Sequence, residues 1–500
     1  MFEKNRKRVR KPGRAEEWKM GRTAGREEDG KGVTRAVRTL SLLVAIGMVT
    51  IASPGAAQQA VQPAPPATPL PSTTVVDLSK QAFWEVFSDT TLNRLMAEAL
   101  GGSRELRAAA ARRDGAGAAH MQAALNLVPA VTANAGYTRR RLSSATFPMG
   151  GATLPDQGLW DSALAASWEV DLFGRLRGGV RAQNALLGSA SEDVREAQVA
   201  LTADMARTYL DLRGAQEQMA VARRNADNQR RTLELTQARL DAGRGTAFDT
   251  ERARAQLSLT QAVIPALEAR IAAAQYRIAV LAGREPQSVA AELGTALSLP
   301  VLPDSVRSIS AEEVIRTRPD VSSAESRLAA SRAVVSAARA DYLPRLSLVA
   351  GAGYTASAVD RFGNDGTFNY VVGPVISWPA FDMGRVKARA DEAQAQELEA
   401  RARFEHAVLL AREQLATTTV RYRAARARLG LLREAAAASE RAADLARLRY
   451  EGGVADFLQV LDAERTVLAA QDQLAQARTE AVEAYVALAR ARGASWPVHE

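Results

Sequence analysis

The apolar positions of this chain follow two periods, and the change from one to the other occurs in the same order twice. A helical pattern from Leu92 to about Leu127 ends at Pro129, and another from Asp320 to about Tyr342 ends at Pro344. Each is followed by two segments that alternate with period two, the mark of strands with one apolar face. In 131–138, Val131, Ala133, Ala135 and Tyr137 oppose Thr132, Asn134 and Thr138. In 159–172, Trp160, Leu164, Ala166, Trp168, Val170 and Leu172 oppose Asp161, Ser167, Glu169 and Asp171. The second pair is 345–355 and 367–378, with Phe368, Tyr370, Val372, Ile376 and Trp378 on one side. The helical period then returns over 175–242 and 385–452, which lack proline and are rich in Ala, Leu, Gln, Glu and Arg, the strong helix formers. Leu187, Val194 and Leu201 recur at the seven-residue spacing of a packed helical seam. At about 1.5 Å per residue, a helix of this length reaches on the order of 100 Å, a rod rather than a globular domain.

The two passages are copies. Trp168 answers Trp378, "FGR" at 173–175 answers "MGR" at 383–385, Gln261 answers Gln471 and Gly283 answers Gly493, all at an offset of 210. The register from 168–283 to 378–493 therefore runs without insertion, and it drifts only before Trp168, where Tyr137 answers Tyr354 and Pro129 answers Pro344. Arg239 and Gly243 answer Arg449 and Gly453 in the tips of two long hairpins, "RLDAGRGTAFDTERARA" (239–255) and "RYEGGVADFLQVLDAER" (449–465). Gly243 and Gly453 suit the left-handed residue that ends a helix. Thr246 with Asp249, and Asp456 with Gln459, have capping-box spacing, so Asp249 and Gln459 read equally as helix caps or as gating residues. Asp462 lies three residues past Gln459 on about the same face. Its repeat mate is Arg252, so the duplication does not hold it as framework.

Composition narrows the function. There are no cysteines, which removes disulfides, thiolate metal sites, a cysteine nucleophile and an acylated cysteine. The three histidines, His120, His406 and His499, are scattered and read as surface or packing residues. The net charge of +9 is concentrated at the start: residues 1–57 hold 13 Lys/Arg and 6 Asp/Glu, against 52 and 50 in the rest. A basic head on a nearly neutral body does not point to nucleic acid. Arg35 and Arg38 precede the apolar run Leu40 to Ala52, and Gly55 and Ala57 are small, so the head reads as a signal peptide cleaved after Ala57. A start at Met20 would shorten its charged part, and a short membrane anchor is the alternative. No nucleophile set, metal set or phosphate loop is present, so the chain is not read as an enzyme, and no cofactor is expected.

Four strands of this length can cross a bilayer at a tilt, and Tyr137, Trp160, Trp168, Tyr354, Phe368, Tyr370 and Trp378 lie near their ends as interfacial aromatics would. Four strands cannot close, and an open edge in hydrocarbon leaves backbone groups without partners. Closure demands several chains, and three would supply twelve strands. A soluble four-stranded sheet capping a helical stalk is the other reading of the same pattern.

"FWEVFSDTTLNRLMAEAL" (83–100), "SWEVDLFGRLR" (167–177), "SWPAFDMGRVKA" (377–388), "LAGREP" (281–286) and the two R-[LY]-x-x-G tips together resemble the TolC-type outer-membrane efflux ducts, in the branch that serves resistance-nodulation-division pumps. The resemblance covers residues 80 to about 497. It implies a mainly α, internally duplicated fold with long helical hairpins forming an α-helical barrel, plus four strands per chain that close a twelve-stranded β-barrel in a homotrimer. The divisions it implies are a signal peptide (1–57), a Pro-rich linker (58–79), a first repeat (80–283), an equatorial connection (284–318), a second repeat (319–493) and a tail (494–500). Its partners would be outer-membrane lipid, a periplasmic adaptor and an inner-membrane pump of the resistance-nodulation-division type. The branch usually carries an acylated cysteine after the signal; this sequence has none, so anchoring would rest on the barrel.

By the same resemblance, Asp462 matches an acidic ring at the periplasmic constriction, Gln459 stands where some members have a second acid, and Tyr450 and Asp249 match parts of the lock. The adaptor would dock on Arg239, Leu240, Gly243, Arg449, Tyr450 and Gly453. The implied function is a passive, gated exit duct for small molecules. A duct for type I protein secretion and a periplasmic coiled-coil scaffold are the alternatives.

Overall fold

The computed structural model describes residues 83–141, 156–300, 302 and 310–493. The expected signal peptide, linker and C-terminal tail lie outside these residues, as does part of the 284–318 connection. The elements are α1 (Thr90–Gly102), α2 (Arg104–Leu125), β1 (Ala130–Arg140), β2 (Gln157–Val170), α3 (Arg175–Asp241), α4 (Ala247–Ala262) and α5 (Ile264–Leu281). After the connection come α6 (Ala311–Thr317), α7 (Pro319–Ala340), β3 (Arg345–Ala356), β4 (Phe368–Ser377), α8 (Met383–Glu451) and α9 (Phe457–Ala491). Among the described residues no helix is long and apolar enough to cross a membrane.

The repeat register survives as structure. The long helices end at Asp241 and Glu451, the returning helices begin at Ala247 and Phe457, and they end at Leu281 and Ala491, each pair 210 residues apart. Helices α3 and α8 run for 67 and 69 residues. Two breaks depart from the sequence reading. The pattern read as one helix over 92–127 divides at Ser103, whose hydroxyl caps α2 by accepting the Leu106 N–H at 3.3 Å. The returning helix of the first copy divides at Val263, because Pro265 lacks the N–H that a continuous helix needs; its mate in the unbroken α9 is Ala475.

The core gathers around a close crossing of α3 and α9. A Cβ on Gly214 would lie 2.1 Å from the Thr479 hydroxyl oxygen, so only glycine permits this crossing. Around it Tyr209, Leu210, Tyr485, Val486 and Ile278 are buried together with Phe83, Trp84 and Phe87 of the opening segment. Asp89 caps α1 through the Thr91 and Leu92 N–H groups and accepts the Tyr209 hydroxyl at 2.5 Å. Burial, reinforced by that carboxylate, pushes the Tyr209 hydroxyl up to about 12, so it stays a donor through the neutral range. The fully buried Arg213 donates to Gln216 and to the Thr295 carbonyl, and Gln216 donates to the Leu293 carbonyl, which fastens the connection to α3.

The strands form one antiparallel sheet in the order β1-β2-β3-β4, so β2 and β3 join the two copies and β1 and β4 are its edges. Every residue of β1 is exposed, and nearly all of β4 is. Contacts divide the described chain into two units. Of the described residues the smaller comprises 135–141, 156–162 and 353–369; Tyr137 packs on Trp160 with ring centroids 4.7 Å apart, and Tyr354 packs between Phe362 and Phe368. The larger holds the helices and the remaining parts of the strands. Within it Trp168 and Trp378, matched by the repeat, act alike: each indole N–H donates to a carbonyl at the end of the helix before its strand pair, Leu127 at 2.9 Å and Tyr342 at 3.0 Å. Asp171 then starts α3 by accepting the Leu176 and Arg177 N–H groups and the Arg177 guanidinium N–H.

Candidate functional site

The two hairpin tips are built on the same backbone device. At the first, Gly243 (φ +67°) donates to the Leu240 carbonyl and Arg244 donates to that of Arg239. At the second, Gly453 (φ +73°) donates to the Tyr450 carbonyl and Val454 to that of Arg449. These paired bonds are the glycine-terminated helix ending in which the left-handed residue and the one after it satisfy two otherwise orphaned carbonyls.

The side chains then part company. In the first tip Thr246 accepts the Asp249 N–H at 3.2 Å, and its hydroxyl donates to the Asp249 carboxylate at 2.7 Å, so Asp249 is held in the first turn of α4. In the second tip the expected side-chain cap is absent: Asp456 makes no side-chain cap bond, and the Gln459 N–H goes to the Asp456 backbone carbonyl at 3.1 Å. Packing replaces it. Phe457 and Leu461 bury themselves with Ala253 of the first hairpin, and Tyr450 lies against this cluster with its ring 5.8 Å from that of Phe457.

The tips are joined by Arg239 and Tyr450. The guanidinium sits 3.9 Å over the ring centroid and also donates to the Tyr450 carbonyl at 3.4 Å. A cation–π contact of this kind contributes on the order of 1 kcal/mol. Thus Arg239, Tyr450 and Phe457 come together, whereas no bond or ring contact links Asp249 to Tyr450 among the described residues. Gln459 and Asp462 share an exposed face of α9, and Leu240 and Arg449 are half-buried and exposed respectively. Among the described residues, no side-chain hydrogen bond or ion pair engages the Asp462 carboxylate.

Two groups of residues at the tips escaped the sequence reading. Phe248 (66 % exposed), Val454 (73 %) and Leu458 (52 %) are apolar side chains left in solvent. Phe248 and Leu458 are repeat mates, a signal that the offset of 210 contained. The other is Glu464, buried on α9, which accepts from Arg447 at 3.1 Å and from the Thr232 hydroxyl at 3.1 Å. It falls on the apolar stripe Phe457, Val460, Leu461, Val467, Leu468, and an acid on such a stripe is itself a sequence signal.

Long hairpins joined through a four-stranded sheet also occur in solved outer-membrane channels. The outer-membrane channel OprN is 38 % identical and superimposes with a TM-score of 0.79, covering 83 % of this chain and 93 % of its own. The fold is therefore that of an outer-membrane channel. The profile of the outer membrane efflux protein family matches residues 95–284 and again 311–494. The pyoverdine export outer membrane protein OpmQ of Pseudomonas aeruginosa is 30 % identical over 83 % of this chain and 87 % of its own length. The toluene efflux pump outer membrane protein TtgF of Pseudomonas putida is 31 % identical over 83 % and 85 %. The chain belongs to the outer membrane efflux protein family, whose members are channels rather than enzymes.

Proposed function

We propose that the chain is the exit duct of a tripartite efflux system, assembled as a homotrimer and passing small organic molecules from an inner-membrane pump, through a periplasmic adaptor, to the exterior. The observation that carries the reading is the sheet. It ends in two edges, β1 and β4, whose residues are almost wholly exposed, and a strand edge in hydrocarbon requires a partner. Pairing β1 of one chain with β4 of the next gives twelve strands in three chains. The exposed band that includes Val131, Leu164, Leu348, Val372 and Ile376 would then face lipid.

The tips support the periplasmic half of the reading. Phe248, Val454 and Leu458, with Leu445 and Leu448, form apolar surface around the glycine turns, fit for the hairpin of an adaptor protein. Arg239, Leu240, Gly243, Arg449, Tyr450 and Gly453 supply the frame of that surface. Asp462 and Gln459 line the constriction, with Asp249 and Tyr450 behind them. The energy comes from the pump, of the resistance-nodulation-division type, and the relatives named for pyoverdine export and toluene efflux support a small-molecule cargo.

The sequence holds no cysteine, so introduced ones report cleanly. Ala133→Cys on β1 is combined in turn with cysteines at Val371, Val372 and Val375 on β4. Oxidation in outer-membrane fractions is expected to give covalently linked trimers in at least one register. Monomers in every register would sink the closure.

A further inference from the structure

In the smaller unit, one face of the hairpin formed by β1 and β2 turns from aromatic to charged. Tyr137 and Trp160 pack together there, beside Gly158, where a Cβ would lie 3.2 Å from the Tyr137 ring. Strand alternation puts Arg139, Arg141 and Asp156 on this same face and Arg140 on the opposite one. The contacts agree. The Asp156 carboxylate accepts one N–H from Arg139 at 3.2 Å and one from Arg141 at 2.5 Å.

This cluster is not neutralised. One carboxylate serves two guanidiniums, whose side chains stay 69 % and 75 % exposed. A guanidinium has five N–H donors and each gives Asp156 one, so four on each have no partner among the described residues. Exposed ion pairs contribute little to folding, so stability does not account for two arginines at one acid. Nor does the duplicated fold demand them. Between β1 and β2, residues 139–156 hold three arginines and one aspartate, a net +2. The matching segment between β3 and β4, residues 357–367, holds Asp360, Asp365 and Arg361, a net −1.

The position of the cluster names its partner. Tyrosine and tryptophan on a lipid-facing strand settle at the level of the headgroups. Arg139 stands about 7 Å beyond Tyr137 along the strand, where the anions of a bilayer are headgroup phosphates. A guanidinium matches phosphate with two parallel N–H bonds, and two guanidiniums converging on one carboxylate present their remaining donors to one region. We propose that Arg139 and Arg141 seat the phosphates of a phosphorylated lipid of the outer leaflet, whose chains lie against Tyr137 and Trp160. This rests on the duct reading, in which that face meets lipid and the 139–156 end of the hairpin is the exterior one.

Native mass spectrometry of the purified full-length protein in detergent counts bound lipids and chains in one measurement. The probes are diphosphoryl lipid A and its dephosphorylated form with the same acyl chains. Wild type is expected to retain the diphosphoryl form roughly tenfold more strongly, and Arg139→Gln with Arg141→Gln to lose that preference. The double lysine variant, which keeps the charge without the fork, is expected to fall between them. Asp156→Asn removes the competing carboxylate and should tighten binding a few-fold, while Arg140→Gln, on the other face, should leave it unchanged. Inorganic phosphate at millimolar concentration should not displace the lipid, since it has no chains to lie on the aromatic pair. Trimers that take up both lipids alike overturn the proposal, as does a double glutamine variant that binds like wild type. Loss of binding in Arg140→Gln alone overturns it too, because bulk charge and not the face would then be responsible, and full displacement by phosphate overturns the lipid as occupant. Monomers in the same spectra would instead sink the duct reading, and this proposal with it.

Discussion

At the first tip a threonine hydroxyl closes the new helix and the apolar Phe248 points into solvent; at the second, Phe457 is buried, an acid two turns on is buried with it, and another, Asp462, is left outside. The backbone beneath the two is the same, down to the glycine at positive φ and the two carbonyls it helps to satisfy. Duplication thus fixed the turn and left the side chains free to diverge. The first tip is held by local hydrogen bonds. The second is held by long-range packing onto the first, and it alone carries buried charge.

The largest expected break in that comparison comes from Arg447→Ala. It strips Glu464 of its guanidinium while the carboxylate stays 4 % exposed, and an uncompensated buried charge of this kind costs about 3 kcal/mol. Among the described residues the side chain of its repeat mate, Gln237, bonds only to exposed Asp241, so Gln237→Ala should stay within about 0.5 kcal/mol. Thermal or denaturant unfolding of the two variants measures the contrast; equal effects would deny that the second tip depends on buried charge. Next in size is Gly243→Ala against Gly453→Ala. Nothing lies within 4 Å of a Cβ at either position, so the cost is the left-handed backbone alone, about 1–2 kcal/mol and equal for both. Unequal losses would show that the tips differ in backbone as well as in side chains. Smaller still, Thr246→Ala removes a real cap and should cost about 1 kcal/mol, whereas Asp456→Ala, at the matching position, should cost close to nothing.

That last pair shows where the sequence was legible and where it was not. Turns and periods were legible because glycine, proline and alternation act locally: the strands, both long helices and both glycine turns lie within a few residues of where the pattern puts them. The capping spacing Asp456–Gln459 was equally local and misled, because Phe457 and Leu461 are drawn into a cluster with Ala253 of the other hairpin, and no local rule contains that contact. Ser103 and Val263 were missed for the opposite reason. The apolar period continues through both breaks, and only the cap and the proline betray them. Glu464 was hidden by its neighbour: an exposed acid with a divergent repeat mate draws attention, while a buried acid on an apolar stripe is noticed only once the stripe is traced.

Asp462 and Glu464 are the sharpest form of the comparison, two acids on one helix with opposite surroundings. Asp462 is exposed and its carboxylate holds no structural partner among the described residues, so Asp462→Ala should change stability by no more than about 0.5 kcal/mol. Its expected effect is on ions. Three carboxylates around the axis of a trimeric entrance would favour cations over anions, and replacing them should reduce that preference in single-channel recordings across planar bilayers. Arg252, the repeat mate, lies over the Phe248 ring at 5.2 Å, and Arg252→Ala serves as the comparison at the first tip. If Asp462→Ala conducts with unaltered selectivity and conductance, Asp462 does not face the passage and the constriction lies elsewhere. If instead it destabilises the protein as much as Arg447→Ala does, then the acid is structural, and the division of labour between the exposed and the buried carboxylate fails.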